Sequence, residues 1–364
     1  MTQVRGHSVF GVGIGESALS DQSQDPALHR ALHEELLEEL AVHGQLMFTS
    51  EDELARFVTA VRALPPTLAK AWETVLSSKR VTVTVVDPES LPGLSQMLDP
   101  TDLERRLAPA VQLVLLEADQ AELMGVARDE FSARTPGGLV EIGKLTTATR
   151  TATILSAHQV MEAPMREDDN REDEWADRLG PLVAAASPVV IYDKYVGMQV
   201  ARRYIYDYEH GDGLTWLLGR ISMTPGRRVR IITAVPYVKP GRPAREPIDE
   251  QVLAAAFLLL KNHIGREVGL DLILVPERQR NQTTVERFGH DRHIRFGDRA
   301  VLALGMGVQT FEHPRFRETI TVARLPVSDA KDREERAIRA AVRPPREGWL
   351  GWARSLQSPP DSLQ

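Results

Sequence analysis

Short runs of β-branched and aliphatic residues alternate with stretches of helical periodicity along this chain, and that alternation restricts it to an α/β architecture. In the first half, Val81–Val86 is β-branched throughout and reads as a strand, Val111–Leu116 is a second apolar run, and Leu139–Ile142 is a weaker third. Between them Leu28, Leu32, Leu36, Leu37 and Leu40 recur at helical spacing over Pro26–Val42. Thr49-Ser50-Glu51-Asp52 has the form of an N-cap with acids in the first helical turn. That helix runs to Leu64 and stops at Pro65-Pro66, with Leu68–Leu76 making the next. Residues 1–20 are Gly-rich and read as a strand and turn or a loose lead-in, with Gly11-Val12-Gly13-Ile14-Gly15 as the turn.

The second half is more regular. Ser187–Val196 is a buried strand, Leu214–Leu218 lies in a helix, and Val229–Ala234 is a strand. Glu250–Ile264 is an apolar-striped helix and Leu270–Val275 a further strand. His293–Phe296 and Ala300–Leu304 form a hairpin turning at Gly297-Asp298. The alternation followed by a hairpin predicts a mixed sheet with helices on its faces. A charged helix over Asp329–Val342 is expected to run outward, ahead of a Pro-rich tail. The expected organisation is a small α/β domain over 1–155, an acidic linker or helix over 156–186, the mixed-sheet domain over 187–325, and the helix and tail over 326–364. Within the acidic stretch, Met161–Arg178 carries eight acids against three arginines. It reads either as a solvated linker or helix face, or as a flap competing with an anionic ligand.

Composition excludes several classes. A length of 364 residues suggests two domains, and 42% hydrophobic with 26% charged residues excludes wholesale disorder. The absence of cysteine removes disulfides, thiolate metal sites and cysteine nucleophiles. No run approaches the 18 apolar residues of a membrane span, and Met1–Ser20 lacks the pattern of a signal peptide, so a cytoplasmic location is expected. A net charge of −7 argues against a uniformly basic surface but leaves room for a local basic face.

The densest chemistry lies in Gly289-His290-Asp291-Arg292-His293-Ile294-Arg295-Phe296. On an extended segment alternate side chains share a face, so His290 and Arg292 point together and Asp291 and His293 point oppositely. Histidine beside arginine suits a phosphate: the guanidinium grips two oxygens, while the imidazole can donate a hydrogen bond, move a proton or attack phosphorus. The opposing reading is a surface hairpin in which Asp291 pairs with an arginine. Basic residues around it include Arg220, Arg227, Arg228, Arg230, Lys239, Arg242 and Arg245, with no acid between Gly213 and Arg245. Arg278, Arg280, Arg287, Arg295 and Arg299 bracket the motif, beside the aromatics Tyr237, Phe288 and Phe296. Such a set fits backbone phosphates with occasional base stacking, or solubility charge spread over the domain. Tyr204, Tyr206 and Tyr208 alternate as on a strand or aromatic ledge. His29 and His33 have helical ligand spacing but no third partner, whereas His7 and His43 show no ligand spacing. Asp87, Glu117, Glu141 and Lys144 only loosely approach a metal-nuclease pattern, because Glu141-Ile142-Gly143-Lys144 is one residue too long. No metal or cofactor is expected.

Asp193 and Tyr195 in "IYDKYVG", Thr233 in "VRIITA", and "HDRHIRFGDRAVLALGMGVQTF" resemble the MIT C-terminal domain, a compact relative of the phospholipase D superfamily. The matching positions are Asp193, Tyr195, Thr233, His290, Asp291, Arg292, Gly305, Gly307 and Phe311, within residues 187–325. The resemblance implies a C-terminal phospholipase-D-like mixed sheet flanked by helices, with Asp193, Tyr195, His290 and Arg292 around a phosphate. Catalytic members of that superfamily carry H-x-K, then four intervening residues, then Asp, in two facing copies. This chain has one copy, with Arg292 in the lysine position and Gly297 in that of the Asp; the nearest acid is Asp298. The eukaryotic MIT C-terminal domain is regarded as a non-catalytic lipid-phosphate binder. High Arg, Ala and Val usage without cysteine fits a high-GC bacterium, where such domains often serve multi-protein defence systems. The expectation is therefore a phosphate-recognising, nucleic-acid-binding component. Its binding residues would be His290, Arg292, Asp193, Tyr195, Arg228, Arg230 and Arg295. Two alternatives stay open: a dimeric, metal-independent phosphodiesterase using His290 from two chains with Arg292 and Asp298, and a protein-interaction adaptor.

Overall fold

The computed structural model of the chain describes residues 6–20, 25–77, 82–85, 93–206, 213–235, 248–264, 268–276 and 292–341. The chain divides into two compact units, Met1–Met161 and Glu162–Gln364. Each is built on a six-stranded mixed sheet, so the protein is α/β in both halves. Among the described residues no helix is long and apolar enough to cross a membrane.

The N-terminal unit runs β1 (Phe10–Ile14), α1 (Pro26–Val42), β2 (Gly44–Phe48), α2 (Glu51–Ala63), α3 (Pro66–Ser77), β3 (Thr82–Val85), α4 (Pro100–Leu107), β4 (Leu113–Leu116), α5 (Ala118–Leu123), β5 (Ser132–Arg134), β6 (Glu141–Lys144) and α6 (Ala152–Glu162). The strand order is β3-β2-β1-β4-β6-β5, all parallel except the edge strand β5. Leu36, Leu40, Phe57, Trp72 and Ile154 cover one face, and Leu103, Leu107, Ala121 and Met124 the other. The Gly11–Gly15 run is not a turn. Gly11 to Ile14 belong to the central strand, and a side chain at Gly11 would meet the Ala110 carbonyl oxygen at 1.9 Å. The glycines thus serve close strand packing. Ser50 caps α2 by accepting from Glu53 N–H at 3.1 Å, and the buried Glu53 carboxylate returns to Thr49 N–H at 2.6 Å.

Two members of the candidate metal-nuclease set, Glu141 and Lys144, have structural roles. Glu141 accepts from Ala152 N–H and Thr153 N–H, both at 2.7 Å, and so holds the start of α6. Lys144 Nζ donates to the carbonyls of Ala127 and Arg128 at 3.0 Å. Asp87 lies outside the described residues.

The C-terminal unit runs α7 (Arg171–Glu174), α8 (Gly180–Ala185), β7 (Val189–Tyr192), α9 (Val196–Tyr206), α10 (Gly213–Ser222), β8 (Arg228–Val235), α11 (Glu250–Ile264), β9 (Gly269–Pro276), β10 (His293–Phe296), β11 (Ala300–Leu304), β12 (Val322–Arg324) and α12 (Val327–Ala341). The strand order is β12-β11-β10-β7-β8-β9; β7, β8 and β9 are parallel, and the other three join antiparallel. The expected hairpin is present, with Gly297 at positive φ in its turn.

Three expectations are corrected here. Tyr204 and Tyr206 stand on helix α9, not on a strand; Tyr208 lies outside the described residues. Of the two readings of the acidic segment, the solvated linker is the one overturned: Arg171–Glu174 and Gly180–Ala185 are helical, and the segment is packed. Met165, Asp168 and Arg171 backbone N–H groups bond to the carbonyls of Ile320, Phe316 and Pro314, while Glu172 accepts from Trp216 Nε1 at 2.9 Å and pairs with Arg220. Helix α12 does not run outward, because Ala337 packs into a core with Val190, Tyr192, Ile232 and Ala234.

One polar cluster in the N-terminal core generates a pH prediction. Trp72 Nε1 donates to His33 Nδ1 at 3.0 Å, so His33 carries its proton on Nε2, which faces His29 Nε2 at 3.1 Å. Burial, with the neighbouring His29, pulls His33 down to about 4. The fold therefore favours the neutral ring, and that contribution is complete above about pH 6.5 and fades as the pH falls toward 4. Denaturant melts of the wild type followed by far-ultraviolet circular dichroism should show stability falling across this window. His33→Gln should show a flatter dependence; parallel profiles for both proteins would remove His33 as the cause.

Candidate phosphate site

The site is built where β7 ends. Its register with β8 puts Asp193 level with Thr233, and its antiparallel register with β10 puts Arg292 across from Asp193. All three lie on the face opposite α12, because Tyr192 and His293, one residue away, belong to the α12 face. Asp193 is 1% exposed. Its Oδ1 accepts from Tyr195 N–H at 2.9 Å, and its Oδ2 from Val308 N–H at 3.2 Å. Burial pushes this carboxyl up, opposed by those two N–H groups and by the Arg292 charge. Asp193 thus fastens the start of α9 to the turn that follows β11.

Close approach at that turn requires Gly307. Its φ is +66°, and a side chain there would lie 2.0 Å from Asp193 Oδ2 and 2.7 Å from Arg292 Cδ. Thr233 supplies a second tie, its hydroxyl accepting from Gly197 N–H at 3.0 Å and donating to the Lys194 carbonyl at 3.2 Å.

Two cations converge on one aromatic ring. Arg292 Cζ lies 4.9 Å from the centroid of Tyr195, and Lys194 Nζ lies 5.4 Å from it. Each such contact contributes about 0.5–2 kcal/mol, depending on desolvation. Arg292 Nε is buried and meets no hydrogen-bond acceptor among the described residues. Arg292, Lys194 and Tyr195 are all only half-buried. The ensemble offers guanidinium and ammonium donors beside an aromatic face, a combination that suits an anionic oxygen with a flat group stacked next to it. Sequence reading passed over Lys194, although it stands between the two residues of the Asp-x-Tyr match.

Other predicted site residues fall elsewhere. Arg228 and Arg230 lie near the start of β8, on the α12 face, and both face Asp271, at 3.5 and 3.4 Å. Arg230 is three residues before Thr233, about 10 Å along the strand from the level of Asp193. Arg295 is buried, with Nε 2.8 Å and Nη2 2.6 Å from the two oxygens of Glu334 on α12. His293 Nε2 lies 3.3 Å from the same carboxylate and stacks on Tyr192. Arg295 is therefore a core partner of Glu334. Asp298, in the hairpin turn, sits 2.8 Å from Lys331 and is separated from Arg292 by the whole of β10. These two members of the conditional catalytic set do not meet. His290 and Asp291 lie outside the described residues, as do Tyr237, Lys239, Arg242, Arg245, Arg278, Arg280, Arg287 and Phe288.

Metal-binding geometry is likewise absent from the pair with helical ligand spacing. His29 and His33 face each other, and His33 also serves Trp72. Among the described residues, one group of three histidine and acidic side chains has its donor atoms close enough for an ion: Glu39, His43 and His158. No protein-family model and no curated protein matches the chain.

Two substitutions test this construction. Burial pushes the Glu334 carboxyl up, but hydrogen bonds and charge from Arg295 and His293 outweigh it and hold it below its usual range. Glu334→Ala would strand the Arg295 charge, so chemical denaturation should show a loss of about 3–5 kcal/mol. A loss under about 1 kcal/mol would mean that Arg295 finds solvent without it. Gly307→Ala meets both a positive φ and the Asp193 carboxylate, and should cost about 1–3 kcal/mol in the same assay. A neutral result would show that the turn does not need this approach.

Proposed function

We propose that the C-terminal unit binds a phosphate-bearing polymer, nucleic acid, at the end of β7, through Arg292 and Lys194 with Tyr195 as a stacking surface. The observation that carries this reading is the convergence of two cations on the Tyr195 ring, at 4.9 and 5.4 Å. A guanidinium whose Nε lacks an acceptor among the described residues can still donate a hydrogen bond to an arriving oxygen. The N-terminus of α9 opens at the same place and adds its positive end. The resemblance to the MIT C-terminal domain supports the same positions, because Asp193, Tyr195 and Arg292 are among those it matches.

The reading is for binding rather than cleavage. Both Asp193 carboxylate oxygens accept backbone N–H bonds, and Asp298 stands at the other end of β10. Neither is placed beside Arg292 as a free proton acceptor.

Fluorescence anisotropy with single-stranded DNA and RNA oligonucleotides across a salt series tests the proposal. Arg292→Ala should weaken binding roughly tenfold and reduce the salt slope by about 0.7, the loss of one single-strand phosphate contact. Arg228→Ala and Arg230→Ala should leave both unchanged. Equal binding by wild type and Arg292→Ala would sink the proposal, and strand cleavage abolished by His290→Ala would replace it with the phosphodiesterase.

A further inference from the structure

We infer that the N-terminal unit holds a divalent transition-metal ion of the zinc class between Glu39, His43 and His158. These three residues each offer a donor atom, and the three atoms lie within 4.8 Å of one another. Glu39 and His43 are one helical turn apart at the end of α1, with His43 as its C-cap, so they share a face. His158 comes from α6, and its Nε2 lies 2.6 Å from Glu39 Oε2 across a sequence separation of 119.

The second layer of contacts is what a metal site requires. His43 is fully buried, and its Nδ1 lies 2.7 Å from the Ser8 carbonyl oxygen. A carbonyl only accepts, so Nδ1 carries the proton and the lone pair resides on Nε2. Metal-bound histidines are generally oriented in this way, the distal nitrogen donating to a backbone carbonyl or carboxylate. The His43 and His158 rings lie 4.9 Å apart at 50°, so the imidazoles are neighbours without being stacked flat.

Without metal, the His158–Glu39 hydrogen bond closes the group. An ion replaces that bond with two coordinate bonds of about 2.0–2.2 Å, and donors around a tetrahedral centre stand roughly 3.3 Å apart. His158 Nε2 and Glu39 Oε2 must then separate by less than about 1 Å, within side-chain adjustment. The His158 ring meanwhile carries its proton on Nδ1. Two imidazoles and a carboxylate suit zinc and its first-row neighbours; magnesium and calcium prefer all-oxygen sets. The His158 and Glu39 side chains are 33% and 20% exposed, which leaves a route for the ion and for a water as fourth ligand.

The test uses the tag-free full chain, stripped with a chelator, re-equilibrated with zinc chloride and assayed for metal by plasma mass spectrometry. Affinity is read by competition with a chromogenic chelator. The expected result is one zinc per chain, no response to magnesium, and visible absorption on cobalt substitution. His158→Gln and Glu39→Gln, both on the rim and checked for native circular dichroism, should weaken zinc by roughly 100-fold or more. Loss of an outer partner alone costs about 10–100-fold. His29→Gln should bind as wild type. Failure of the stripped chain to take up zinc, or undiminished binding by both rim variants, overturns the inference.

Discussion

The buried carboxylate of Asp193 is the constraint on which the C-terminal site depends. A carboxylate with almost no solvent contact is costly, and it persists because its oxygens accept backbone N–H groups and a guanidinium stands nearby. Each of those compensations fixes something else. The Tyr195 N–H sets where α9 begins, and with it the position of the Tyr195 ring. The Val308 N–H requires the chain after β11 to pass within contact of the carboxylate, which is why position 307 is glycine at positive φ. The Arg292 charge is drawn to the same point and comes to lie over Tyr195. Asp193 is therefore a positioning group; it organises the cations that would meet a ligand and is itself withdrawn from solvent.

The opposite face of the same sheet has a different economy. There α12 brings Glu334 to Arg295 and His293, and Lys331 to Asp298. Successive residues at the start of β10 and just before it thus serve different ends. Arg292 faces the candidate site, while His293 and Arg295 face a helix of the same unit. A run rich in basic residues is divided by the pleat into a cation of the candidate site and a core ion pair. The division also bears on the hairpin-turn acid, because Asp298 belongs with Lys331.

The strands of the C-terminal unit were legible because parallel strands buried on both faces are dense in aliphatic residues, as at Val189–Ile191 and Leu272–Val275. The hairpin was legible from Gly297 between two apolar segments. What escaped was decided by partners remote in sequence. Gly11 to Gly15 has the composition of a turn, yet the nearness of the Ala110 carbonyl makes glycine a condition of strand packing there. Tyr204 and Tyr206 alternate as strand residues do, while α9 imposes the helical period. Helix α12 is so charged that its packed stripe shows in little more than Ala330, Ala337 and Ile338. Of the candidate site, Asp193, Tyr195 and Arg292 were found through an ordered motif, whereas the contact of Lys194 with Tyr195 needed coordinates. The pairing of Arg295 with Glu334, 39 residues away, has no local signal. Neither has the meeting of His158 with Glu39.

The charge count at the end of β7 limits what the proposed recognition can rely on. Lys194 and Arg292 bring two positive charges, and Asp193 lies beside Arg292 and offsets part of its field. Arg228 and Arg230 are near Asp271 at a different level of the sheet, and Arg295 is matched by Glu334. Among the described residues, then, the cationic focus is small and tied to one aromatic ring. A site of that kind cannot rely on long-range attraction, which is screened over about 10 Å at moderate salt. Its selectivity has to arise at contact, from a guanidinium held in one orientation against Tyr195 and from whatever planar group can share that ring. The rigidity supplied by Asp193 and Gly307 matters for this reason: a two-cation site discriminates by geometry, and its geometry is set by a carboxylate that the ligand need not touch.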